Sequence, residues 1–237
     1  MTWDWDRHFQ TLCERSGRLH FGMPVEFIYN PLEYARLPLL QYCNRFGNSP
    51  KEILFLGMNP GPFGMVQTGI PFGEVQAVRN YLRIDAPIGR PAREHPRRPV
   101  EGWSCRRSEV SGKRLWGWIQ SRHARPDTFF RRCFVANYCP LAFMSASGKN
   151  ITPDQLPDGK TSLFSICDDA LRELVLHLET PWVIGIGQFA ARRAREALAA
   201  LPVRVESILH PSPASPAANR DWAAAVTAQL DSLGLQI

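Results

Sequence analysis

Two patterns of apolar positions alternate along this chain. Short unbroken apolar runs fall at 52–57, 133–138, 182–187 and 203–209, and each reads as a buried strand. Between them lie longer stretches whose apolar residues recur at helical spacing: 3–19, 31–46, 74–84, 114–121, 163–178, 188–201 and 221–233. Pro31 stands at the start of the second, where its missing N–H and fixed φ suit a first helical turn. Val75, Val78 and Leu82 give the third its apolar face. Strands that alternate with helices predict a parallel sheet with helices on both faces, and one domain over residues 1–237. Two stretches break the rhythm. Residues 86–113 are rich in Pro and Arg (Arg90, Arg93, Arg97, Arg98, Arg106, Arg107) and read as a long loop, and 144–161 reads as a Ser/Gly/Lys/Pro loop.

Open α/β sheets bind ligands beyond the carboxyl ends of their strands. The run from Gly57 to Met65, Gly-Met-Asn-Pro-Gly-Pro-Phe-Gly-Met, follows the first strand directly and sets Asn59 at the mouth of a proline- and glycine-rich turn. Asn137 closes the second strand, Gly187-Gln188 follow the third, and His210-Pro211-Ser212-Pro213 follow the fourth. Parallel strands bring these ends to one rim, so two amides and an imidazole converge, with Phe72 in Gly69–Gly73 folding back as an aromatic lid. An amide offers both a donor and an acceptor, which suits the edge of a nucleobase. An aromatic face stacks on it, and a histidine can donate to an oxygen that turns negative as a bond breaks. The pattern points to a nucleobase pocket from which the base leaves as an anion. Taken singly, Asn59 could cap a helix, His210 could be a turn residue, and Phe72 could be core.

Composition narrows the class. The 237 residues carry a formal net charge of +6, and 24 of the 28 basic residues are arginine, the side chain suited to bidentate phosphate contacts. A mean hydropathy of −0.23 and the lack of a long apolar run argue against a membrane span. The N-terminus has neither the basic start nor the apolar core of a signal peptide, so a cytoplasmic protein is expected, nucleoid-associated in a bacterium or nuclear in a eukaryote. Six cysteines occur without a CxxC pair and read as buried free thiols, so neither a metal nor a cofactor is expected. No GxSxG elbow is present, and the glycine-rich turn lacks the Gly-Lys-Ser/Thr of a P-loop.

The residues also carry a resemblance. Gly57 through Gly73, Ser108-Glu109-Val110-Ser111-Gly112, Cys133 through Leu141, and His210 through Pro213 resemble, in order, the stretches of the single-strand-selective monofunctional uracil-DNA glycosylases, a branch of the uracil-DNA glycosylase superfamily. The resemblance implies a three-layer α/β/α sandwich with a central, mainly parallel four-stranded sheet. It implies a monomeric, cofactor-free hydrolase that flips uracil, 5-hydroxymethyluracil or xanthine from single-stranded or duplex DNA, with no lyase step. Asn59 then positions the attacking water and His210 steadies the departing base. Asn137 reads the pyrimidine edge, Phe72 stacks, Met58 contributes backbone, and Gly61 leaves room beside C5. Ser147, Gly148, Lys149, Asn150, Ser212, Pro213 and Arg220 are expected to contact DNA. The chain departs from the relatives at Ala214, where they carry an arginine that wedges the duplex. That departure implies a bias toward single strands, with Lys149 or Arg220 as the substitutes. Two other functions fit the residues less well: a non-catalytic single-stranded nucleic-acid binding module, and a hydrolase of free nucleosides.

Overall fold

The computed structural model describes residues 3–237. In chain order the regular elements are α1 (Trp5–Ser16), β1 (Phe27–Tyr29), α2 (Pro31–Tyr34), α3 (Arg36–Phe46), β2 (Ile53–Gly57), α4 (Met65–Thr68), α5 (Val110–Arg122), α6 (Pro126–Phe130), β3 (Cys133–Asn137), β4 (Ala142–Met144), β5 (Asn150–Ile151), α7 (Lys160–Leu178), β6 (Trp182–Ile186), α8 (Gln188–Ala197), β7 (Arg204–Ile208) and α9 (Pro216–Ser232). The four runs read as strands form one sheet in the order β3-β2-β6-β7, parallel throughout. Residues 74–84 do not form an ordinary α-helix; their core is a π-helical turn over Ala77–Leu82.

Register decides which side chains each helix layer covers. Leu54 lies beside Phe134, and Phe55 lies beside Val135. Successive strand residues point to opposite faces, so Phe134 and Phe55 serve opposite layers. Phe134 packs against Trp5 of α1 and Tyr42 of α3. Phe55 packs against Trp118 of α5 and Phe129 of α6, and Trp118 meets Trp222 of α9. The layer of α1 and α3 also holds α7 and α8. Gly185 admits α8 to the sheet, because a Cβ there would stand 2.3 Å from the Ala191 nitrogen. The outcome is the three-layer sandwich, with β2 wholly buried at its centre.

A second, smaller sheet has the antiparallel order β1-β4-β5. Its last strand lies within the stretch 144–161 expected to be loop: after β4 the chain turns through 145–149 and returns as β5. The Pro/Arg segment runs without regular structure as far as Glu109 apart from a short turn at Gly102–Ser104, but its last four residues, 110–113, already belong to α5, capped by Glu109. It is nonetheless pinned in place. The buried Tyr29 hydroxyl donates to the Arg98 carbonyl at 2.8 Å and accepts from the His95 amide at 2.7 Å.

All six cysteines are free and buried, as their spacing suggests. Among the described residues no helix is long and apolar enough to cross a membrane.

Candidate active site

Three of the four strand ends open on one cleft with room for about 250 Å³. Met58, Asn59, Pro60 and Gly61 line it beyond β2, Asn137 at the end of β3, and His210 and Ser212 beyond β7. Phe72 forms part of its wall. The main chains of β2 and β3 remain bonded past the strands: the Tyr138 amide donates to the Gly57 carbonyl at 2.9 Å, and the Cys139 amide to the Met58 carbonyl at 2.8 Å. That pairing fixes Asn59 relative to Asn137. Gln188, which opens α8 two residues beyond β6, does not line the cleft and donates to the Ser207 hydroxyl.

The side chains are held in defined orientations. Asn59 donates Nδ2 to the Leu141 carbonyl at 3.2 Å, which leaves its Oδ1 as a free acceptor. Asn137 donates Nδ2 to the Met65 sulfur at 3.2 Å. Its Oδ1 is buried and has no hydrogen-bond partner. Buried acceptors are nearly always paired, so this oxygen is an open valence within the cleft. Burial lowers the pKa of His210 below its ordinary value, so the ring is neutral at pH 7. Its Nδ1 accepts the Ser212 amide at 3.1 Å. The single proton of the neutral ring therefore sits on Nε2, which makes that nitrogen a donor.

Phe72 takes φ 53°, a left-handed conformation that costs a non-glycine residue strain. The surroundings hold it there: the Trp116 indole donates to its carbonyl at 3.1 Å, and so does the Glu74 amide at 2.7 Å. The ring ends 6.2 Å from that of His210, tilted by 45°. The His210 turn has its own supports. Trp222 donates to the Leu209 carbonyl at 2.7 Å, and Arg114 to the Pro211 carbonyl at 3.1 Å.

Glu109, Ser111, Met65 and Thr152 complete the lining. Sequence reasoning gave none of them a part in the pocket. Glu109 caps α5 by accepting the Gly112 amide, and burial raises its pKa above the ordinary carboxylate value. Its one sequence signal is its place in Ser108–Gly112, among the stretches that carry the resemblance. Of the residues expected to touch DNA, Asn150 and Ser212 line the cleft. Ser147, Gly148, Lys149, Pro213 and Arg220 do not. Lys149, Pro213 and Arg220 are exposed, whereas Gly148 is buried. Among the described residues no group of three His, Cys, Asp or Glu side chains could hold a metal ion.

A family model for the uracil DNA glycosylase superfamily matches residues 45–231, which contain every residue of this cleft. The chain belongs to the uracil DNA glycosylase superfamily. It is similar to the single-strand selective monofunctional uracil DNA glycosylase of Mus musculus, at 52% identity over 222 residues, 92% of this chain and 80% of that protein. The Bos taurus protein of the same name is 50% identical over 227 residues, 94% of this chain and 84% of that protein. Among solved structures, wild-type Pedobacter heparinus SMUG2 matches with a TM-score of 0.67 at 16% identity, over 96% of this chain and 97% of that one; this likeness concerns the fold.

Proposed function

We propose that this chain hydrolyses the N-glycosidic bond of uracil in DNA, taking the base into the cleft after it has left the stack. As a member of the superfamily it is a glycosylase. The observation that carries the reading is the unpartnered, buried Oδ1 of Asn137. Uracil supplies the missing donor through N3–H, and its O4 replaces the Met65 sulfur as the acceptor for Nδ2. The Nε2–H of His210 then donates to O2. As the C1′–N1 bond breaks, its electron pair passes to the base and spreads onto that oxygen, where a fixed neutral donor stabilises it. Asn59 Oδ1 holds the water that adds to C1′. An amide is no strong base, so departure of the base leads and water follows. No lysine lines the cleft, which agrees with a monofunctional enzyme that forms no Schiff base.

The range extends to 5-hydroxymethyluracil, because Gly61 puts no side chain into the cleft wall that it shares with Met65. Extruding a base costs about a few kcal/mol, and least in a single strand. Ala214, at the tip of the turn after His210, is exposed and offers no bulk to replace a base in the stack. Single-stranded substrate is therefore preferred.

The test is base release from an end-labelled oligonucleotide with one uracil, single-stranded or paired with guanine, with half of each reaction treated with alkali. Cleavage is expected only after alkali, faster on the single strand, and abolished by Asn59→Ala with binding kept. His210→Ala is expected to lose about 10²–10³ in kcat. Binding without release on any strand would overturn the reading in favour of a non-catalytic module.

A further inference from the structure

The Pro/Arg segment has a place in the fold that the chemistry of the cleft leaves unused. The buried side chain of Gln67 fastens it to the catalytic turn: Nε2 donates to the carbonyls of Pro62 and Pro99, and Oε1 accepts the amides of Glu101 and Gly102. From the same segment, Arg97 and Arg98 donate to the carbonyls of Ser147 and Gly148, in the turn that leads to Asn150 of the cleft. The segment thus borders two walls of the site.

Its charges are unevenly compensated. Arg90 pairs with Glu94 and Arg93 with Glu26. Arg97 and Arg98, which reach the turn before Asn150, Arg107, which reaches Phe63, and the exposed Arg106 beside it in sequence face no carboxylate within ion-pair distance among the described residues. Arg98 and Arg107 place their guanidiniums 5.3 and 4.2 Å from the ring centre of Phe63. Phe63 itself is partly exposed and stands four residues beyond Asn59. Two guanidiniums without a carboxylate partner thus stand at a partly exposed aromatic ring that follows, two residues on, Gly61 of the cleft wall.

We infer that Arg97, Arg98, Arg106, Arg107 and Phe63 bind the stretch of single strand next to the extruded nucleotide. The arginines take its phosphodiesters and Phe63 stacks on a neighbouring base. This rests on the uracil-excising reading of the cleft, but it can be tested apart from it. Arginine suits phosphate through its bidentate fork, and base stacking on an aromatic ring is tolerant of sequence. Only a strand with unpaired bases satisfies both halves of the site, so the surface itself favours single-stranded substrate.

The experiment measures affinity for a uracil-free single-stranded 20-mer against salt concentration, and separately kcat and KM on the same strand with one uracil. For a single strand, log K falls with log[salt] at about 0.7 per phosphate contact. Arg106→Ala/Arg107→Ala is therefore expected to flatten the slope by about 1.4 and to raise KM with little change in kcat. The corresponding Arg→Lys pair is expected to recover most of the slope. Phe63→Ala is expected to weaken binding about tenfold at high salt, where phosphate contacts are screened. An unchanged slope in the double alanine variant would overturn the proposal, as would a slope that lysine fails to recover. Because the binding arm uses undamaged strand, its failure is distinct from failure to release uracil.

Discussion

At the scale of single residues the site depends as much on what is absent as on what is present. A methyl group on Gly57 would lie 2.3 Å from Asn137 Oδ1 and 2.6 Å from the Phe72 ring edge. Neither neighbour can yield freely: Asn137 is the last residue of β3, and Phe72 is held by Trp116 in a strained conformation. Gly57→Ala is expected to lower kcat/KM for uracil release by about 10²-fold, since an ångström of misplacement costs about that much. The accompanying stability loss should stay within about 1–3 kcal/mol, as for other overpacked sites. Steady-state kinetics beside a urea titration would check both; near-normal kinetics would mean that Asn137 and Phe72 are less constrained than the geometry indicates. The sequence exposed Asn59, Asn137 and His210 for one reason: each lies at or just beyond a strand end; Phe72 lies past α4 and is marked instead by its glycine-flanked run Gly69–Gly73. Glu109, Ser111 and Thr152 reach the cleft from a helix start and from beyond a two-residue strand, positions set by chain crossovers that no local periodicity encodes.

At the scale of elements, legibility followed length. The five-residue strands of the central sheet are long enough to interrupt helical spacing, and their apolar runs announced them. β1, β4 and β5 have three, three and two residues, too few to show an alternation, and the turn between β4 and β5 reads as a polar loop. α6, with five residues, is likewise too short to show helical spacing. The structure also reveals a joint between elements that no pattern indicated. Arg193 of α8 and Asp168 of α7 pair at 2.6 Å, with side chains 12% and 14% exposed. Tyr138, just past β3, donates its hydroxyl to Asp168 at 2.7 Å and accepts from Arg193 at 3.0 Å. Removing one member of a buried pair leaves the other uncompensated, at a cost of about 3–5 kcal/mol. Asp168→Ala is expected to fall toward the low end of that range in urea unfolding, because the Glu196 carboxylate also meets Arg193. Tyr138→Phe, which removes one hydroxyl, should cost about 1 kcal/mol. Equal losses in the two variants would refute the ion pair as the centre of the joint.

At the scale of the whole molecule, proton linkage ties the site to the stability of the fold. Burial lowers the pKa of four histidines, His8, His123, His177 and His210, below the ordinary 6.5. They lie in different regions: His8 and His177 with the N-terminal tryptophans, His123 after α5, and His210 in the cleft. Well above pH 6.5 these rings are neutral in both folded and unfolded chains and contribute nothing to pH dependence. Below it the unfolded chain binds protons that the folded chain refuses, so stability falls as pH drops toward each folded-state pKa. Each ring contributes at most about 1.4 kcal/mol per pH unit while only its unfolded form is protonated. The carboxylates act lower on the scale and in opposite senses. Glu52, held down by Arg132, adds to the loss below pH 4.5, whereas the raised pKa of Glu109 gives some back as pH falls toward 4.5. The urea midpoint should therefore be flat from pH 8 to 7, fall between 6.5 and 5, and decline less steeply as Glu109 takes up its proton. Protonating His210 would also set a ring N–H against the Ser212 amide, so activity should fall over the same interval. His210→Gln should lessen the acid sensitivity of the midpoint by one ring's share and leave that of the other three. A midpoint that held constant from pH 7 to 5 would mean that the four rings stay open to water, and with it the assignment of a neutral, Nε2-protonated His210 would fail.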